Sequence, residues 1–170
     1  GSWLLTGSDD RSDSAGDAAA ASEERTARVW DLKSGDLLQT LEGHYSEVSA
    51  VALSHDSRSA VTADSAGRCL FWKIVGPTDW KLQGQSRWHT RGVSAAKFLP
   101  GGQTVLTASL DNTVVTQWDV LTGEKRTDDL VLKHPDSVTL LDISADGRRA
   151  LTICADRRVR LWNLETADEL

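Results

Sequence analysis

Residues 133–164 read KHPDSVTLLDISADGRRALTICADRRVRLWNL. Three short β-rich runs are separated by turn residues such as Asp146-Gly147, the pattern of strands joined by hairpins. Two near copies lie upstream: residues 43–74, GHYSEVSAVALSHDSRSAVTADSAGRCLFWKI, and residues 88–120, WHTRGVSAAKFLPGGQTVLTASLDNTVVTQWDV. In register, His44, His89 and His134 recur at an interval of 45 residues (44 to 89, 89 to 134). Each is followed four residues on by a valine (Val48, Val93, Val138) and about 28 residues on by a tryptophan (Trp72, Trp118, Trp162). A fixed period of this size marks a repeat architecture. A residue present in every copy reads as scaffolding, because catalysis needs one site.

In the copy at 44–88 the strand-like runs are Val48–Ser54, Ser59–Ala63 and Arg68–Ile74, and the breaks across the three copies carry Asp56, Gly101-Gly102 and Asp146-Gly147. A more polar fourth run follows each tryptophan: Leu37–Glu42, Trp80–Ser86 and Asp129–Lys133. Four antiparallel strands in about 45 residues is the size of one propeller blade. The first unit lacks its innermost strand, and the last ends where its outer strand should begin. The expected count is therefore 3, 4, 4 and 3 strands. The units are expected at 1–43 (a partial blade with a low-complexity insertion at about 11–24), 44–88, 89–133 and 134–170, the last without its outer strand.

The Gly43-His44 pair, the Ser/Thr and Asp of the second hairpin and the Trp-Asp dipeptides at 30–31 and 118–119, set in units that recur in register, resemble the WD-repeat β-propeller family. The resemblance covers nearly the whole chain. It implies an all-β fold, a propeller of four-stranded antiparallel blades forming an incomplete ring. It also implies a hydrogen-bonded His, Ser/Thr, Asp and Trp tetrad in each blade. Carried onto this sequence, the fourth unit has His134, Thr152, Asp156 and Trp162. The third has His89, Thr107, Asp111 and Trp118, with one extra residue between Asp and Trp that predicts a bulge and a displaced Trp118. The second has His44, Thr62 and Trp72, but Ala66 stands where the Asp belongs, so His44 is expected to lose its acceptor. The first keeps Thr6, Asp10 and Trp30 and has no histidine. A buried imidazole and a buried carboxylate each need partners, and one network satisfies both.

Composition narrows the function classes. The chain has 170 residues, 26% of them charged and 39% hydrophobic, which is ordinary for a soluble domain. A net charge of −6 argues against a general nucleic-acid binder. No apolar run approaches the roughly 18 residues that span a bilayer, and no signal peptide is evident. Cys69 and Cys154 lack metal-type spacing and read as reduced, buried thiols of a cytoplasmic protein. No metal and no cofactor is expected: the three imidazoles sit on separate units without a carboxylate or thiol cluster. The chain contains no methionine and opens Gly1-Ser2, which reads as an excised or processed piece.

Four further features stand outside the repeat. The insertion RSDSAGDAAAASEE reads as a solvated loop or as a short partner-contacting helix. Trp80 and Trp88 read as edge cover for a neighbouring blade or as an exposed hot spot. The Arg148–Arg149 and Arg157–Arg158 pairs fall at opposite ends of one strand, roughly 20 Å apart at about 3.3 Å per residue, which excludes a single phosphate patch. By resemblance, partner-contacting positions are Glu47, Ser49, Asp64, Arg91, Ser94, Ser109, Ser137 and Thr139, together with Ser8 and Cys154.

Neither a G-x-S-x-G elbow, an H-E-x-x-H helix nor a phosphate loop occurs. The expected function is a non-catalytic protein–protein interaction scaffold binding a protein or peptide partner, with no nucleic acid and no membrane. The alternative is the propeller portion of a larger signalling or enzymatic protein whose catalytic domain lies outside this chain. The open arc is expected to be completed by a second copy or by blades of the parent protein.

Overall fold

The computed structural model describes residues 3–8, 25–87, 89–110, 113–126 and 131–170. The insertion at 11–24, Asp10, Trp88 and Asp111 lie outside them. The described residues form strands without any helix, in four antiparallel sheets. The first holds β1 (Trp3–Gly7), β2 (Ala27–Asp31) and β3 (Leu37–Leu41); the second β4 (Val48–Leu53), β5 (Ser59–Asp64), β6 (Arg68–Gly76) and β7 (Asp79–Arg87). The third holds β8 (Val93–Phe98), β9 (Thr104–Ser109), β10 (Val114–Asp119) and β11 (Leu132–Lys133); the fourth β12 (Val138–Ile143), β13 (Arg149–Cys154) and β14 (Val159–Asn163). Each sheet is a simple up-and-down antiparallel meander. The architecture is all-β, that of an incomplete WD-type propeller, with no closed ring.

Consecutive sheets pack face to face, and the two-residue period of a strand explains how one sheet serves two neighbours. In the second sheet Ala60, Leu70 and Trp72 point one way and join Leu5, Val29 and Leu41 of the first. Val61, Ala63, Cys69 and Phe71 point the other way and join Val93, Ala96 and Val105 of the third. A third cluster joins Leu106, Ala108 and Val115 to Leu141, Ala150 and Trp162. Strand β9 is therefore buried at every position, whereas its counterpart β13 alternates. The far face of the fourth sheet carries Leu140, Leu151, Val159 and Leu161, exposed by 44%, 38%, 60% and 36%.

Trp118 is not displaced. It pairs with Val105 in an unbroken ladder, just as Trp162 pairs with Ala150 and Trp72 with Ala60. The β9–β10 pairing runs from Asp119 opposite Thr104 to Thr116 opposite Thr107 without a register shift, so the expected displacement does not reach the tryptophan. Trp80 covers a neighbouring sheet: it is 3% exposed, meets the Trp3 ring edge-on at 6.1 Å, and its backbone exchanges two hydrogen bonds with the Gln39 amide.

The β5–β6 turn shows how tightly the sheets are registered. Gly67 has φ +83°, and a Cβ there would lie 2.1 Å from the His89 carbonyl oxygen of the next unit. The His89 amide donates to the Gly67 carbonyl at 3.2 Å. Only glycine tolerates both the left-handed backbone and this approach.

Candidate functional site

A tryptophan–threonine–histidine relay recurs in three sheets. The indole N–H of Trp72 donates to Thr62 Oγ1 at 2.9 Å, and His44 Nε2 lies 2.7 Å from the same oxygen. In the third sheet Trp118 donates to Thr107 at 2.7 Å, with His89 Nε2 at 2.8 Å. In the fourth Trp162 donates to Thr152 at 2.8 Å, with His134 Nε2 at 2.8 Å. The first sheet keeps the pair Trp30 and Thr6, at 2.9 Å. Donor chemistry orients the relay. An indole only donates, so the hydroxyl oxygen accepts, and its hydrogen is directed to the imidazole Nε2. The proton of a neutral imidazole is then on Nδ1 and needs an acceptor.

The Nδ1 acceptor differs between units, and here the structure corrects the sequence reading. His44 does not lose its acceptor: Nδ1 lies 3.1 Å from Asp64 Oδ2, two residues before Ala66. Asp64 Oδ1 accepts the amides of Ala66 at 3.0 Å and Arg68 at 2.9 Å. Burial raises the Asp64 carboxyl, but the His44 hydrogen bond and the Arg68 amide outweigh it, and the group sits below its ordinary value of 3.8. In the fourth unit His134 Nδ1 instead donates to the Leu132 carbonyl at 3.0 Å. Asp156 turns to Arg160, with contacts of 2.5 and 3.2 Å, which holds its carboxyl at about 2. Burial lowers His134, so its imidazole is neutral at neutral pH.

The expected partner-contacting positions divide by burial. Asp64 and Ser109 are each 0% exposed and are withdrawn from any partner: Asp64 serves His44, and Ser109 donates to the Gly92 carbonyl at 2.9 Å. Cys154 is likewise buried. Ser49, Ser94 and Thr139 fall at the same place, a register shift in the innermost strand of each unit. This β-bulge re-aims their hydroxyls. Ser49 donates to the Val93 carbonyl at 2.7 Å and Ser94 to the Val138 carbonyl at 2.5 Å, stitching each inner strand to the next. Thr139 has no following strand and donates within its own sheet, to Ile153 at 3.1 Å. Arg91 is exposed, and Glu47 and Ser137 are half-buried.

Arg160 is drawn into the Asp156 ion pair and buried, so it does not belong with the solvated Arg148, Arg149, Arg157 and Arg158. Cys69 and Cys154 are free and buried, and burial pushes both thiols up, away from the reactive thiolate. Among the described residues no helix is long and apolar enough to cross a membrane. Nor does any group of three His, Cys, Asp or Glu there have the placement to hold a metal ion.

Stacked antiparallel sheets of three and four strands, three of them carrying this relay, define the class: a propeller built of WD-type blades. The sequence model of the WD domain, G-beta repeat family matches residues 35–73, 80–115 and 129–163, more than half of the chain. The chain belongs to that family. It is 37% identical over 88 residues to a coronin-like protein of Saccharomyces cerevisiae, covering 52% of this chain and 13% of the relative. It is 26% identical over 147 residues to autophagy-related protein 16 of Arabidopsis thaliana, covering 85% of this chain and 27% of the relative. It is 35% identical over 106 residues to nuclear distribution protein nudF of Aspergillus flavus, covering 62% and 23%. The chain thus spans about a quarter or less of these relatives.

Proposed function

We propose that this chain is a non-catalytic scaffold of WD-repeat type that binds a protein or peptide partner in the cytoplasm. One observation carries the reading. Three of the four histidines, those of the relay, are buried and spent inside their own units, while the exposed His55 stands outside the relay. Arg91, which is exposed, and Glu47 and Ser137, which are half-buried, stand at strand ends on the rim, where recognition would take place. Rim contacts on a preformed frame suit partner binding, since little ordering entropy is lost there. The relay supports the frame: the tetrad threonines, histidines and tryptophans act structurally, with Asp64 as the carboxylate of the second unit.

The test is quantitative affinity capture with this chain and with Arg91→Glu and Ser137→Arg variants, checked for unchanged unfolding. Proteins retained by the unsubstituted chain and released by the rim variants are expected. Capture that ignores both variants, or hydrolase turnover that survives repurification and disappears with His89→Ala, would overturn the reading.

A further inference from the structure

We propose that the cleft between Tyr45, Arg68 and Arg87 on the second sheet takes an acidic segment of a partner protein, seating a carboxylate between two guanidinium groups. This rests on the scaffold reading and names the chemistry of one of its sites. Arg68 and Arg87 stand directly opposite each other across β6 and β7. Like charges in that position repel and destabilise a strand pair unless an anion joins them. Among the described residues neither arginine has a carboxylate within ion-pair distance. The acid nearest in the cleft wall, Asp64, is spent on His44 and on the amides of Ala66 and Arg68.

Arg68 is held ready. Its guanidinium donates to the Gly43 carbonyl and to Gln85 Oε1, and lies 4.0 Å over the centre of the Tyr45 ring. A guanidinium fixed in this way loses little rotamer freedom on binding, and its remaining N–H groups match a carboxylate. Beside it the cleft, about 470 Å³, is also lined by Ala66, Gln85 and Ser86. Tyr45, the single tyrosine of the chain and 74% exposed, gives an apolar shelf for a neighbouring side chain of the ligand. Tyrosine and arginine together are the composition of binding hot spots.

The net charge of −6 selects the kind of partner. A nucleic acid or an anionic membrane presents many charges, which meet the whole acidic chain. A short segment with one or two carboxylates is attracted locally, within the roughly 10 Å over which charge acts at about 0.1 M salt.

The experiment pans a random heptapeptide display library on this chain and on Arg87→Glu, with Tyr45→Ala as a second variant and thermal unfolding as the fold control. Enriched peptides are expected to carry Asp or Glu beside an apolar residue. Changing that acid to its amide, or Arg87 to Glu, should weaken binding about tenfold or more, as loss of a charge-assisted contact does. Enriched peptides without an acid, or ones indifferent to Arg87 and Tyr45, overturn the cleft and leave the scaffold reading standing. Absence of any enrichment, or Arg87-dependent binding of phosphatidylserine vesicles or an oligonucleotide in place of peptides, overturns it as well.

Discussion

Replacing Asp64 with alanine should cost the second unit its internal anchor. The carboxylate is fully buried and accepts three hydrogen bonds, from His44 Nδ1 at 3.1 Å and from the amides of Ala66 and Arg68 at 3.0 and 2.9 Å. Alanine leaves these donors without it; the buried His44 donor so stranded costs about 1–3 kcal/mol, and the part-buried amides of Ala66 and Arg68, which water can reach, cost less. Full additivity is not expected, because the turn can relax and admit water. A loss of about 2–4 kcal/mol is expected, since one buried donor is stranded and two part-buried ones lose a charged acceptor. Against the roughly 5–15 kcal/mol of a typical domain this is a large fraction. Urea unfolding followed by tryptophan fluorescence measures it. Asp79→Ala, which removes only an exposed pair with Lys81 at 3.5 Å, is the control and should change stability by less than about 0.5 kcal/mol. The sign with pH follows from the lowered Asp64 carboxyl. Its contribution is fully present above the unfolded value near 3.8 and is lost as pH falls through the lower folded value. Asp64→Asn should therefore flatten the decline in stability below about pH 4. A loss under about 1 kcal/mol for Asp64→Ala, with an unchanged acid limb in Asp64→Asn, would refute the anchoring argument.

Other outcomes follow from the same geometry. Gly67→Ala places a methyl against the His89 carbonyl at a left-handed φ and should lose about 2–4 kcal/mol in the same urea assay. Ala167 has φ 62° where the corresponding turns of the first and third units use Gly35 and Gly123, so Ala167→Gly should raise stability by about 0.5–1 kcal/mol, seen as a higher melting temperature. The aliphatic face of the fourth sheet should drive self-association, giving a light-scattering mass above 18.5 kDa. The double variant Leu151→Asp, Leu161→Asp should return the monomer mass without lowering the melting temperature.

The repeat was legible because its signals are local. Strand period, turn residues and the spacing of His, Thr and Trp all lie within one 45-residue copy, and the 3, 4, 4 and 3 strand count followed from them. The carboxylates were not legible from alignment. Asp64 stands two residues before the expected position, where the β5–β6 turn brings its side chain under His44. Asp156 is in the expected position, yet Arg160, four residues on, competes for it, and a nearby carbonyl takes the imidazole proton. Column position cannot rank two acceptors that are both within reach. The hydroxyl stitches of Ser49 and Ser94 were equally hidden, since a bulge changes where a side chain points without changing residue type.

The unequal burial of β9 and β13 has a consequence for symmetry. Inside the stack every contact mates unlike faces: the aliphatic side of one sheet meets the side of the next that carries the relay tryptophan. The two outermost faces repeat that difference, Leu151 and Leu161 on the last sheet and Thr6 and Trp30 on the first. A twofold axis joins a face to itself, so it cannot reproduce this pairing. Copies joined in the internal manner must add head to tail, and such growth ends only if the rotation closes a ring; otherwise it continues as a fibre.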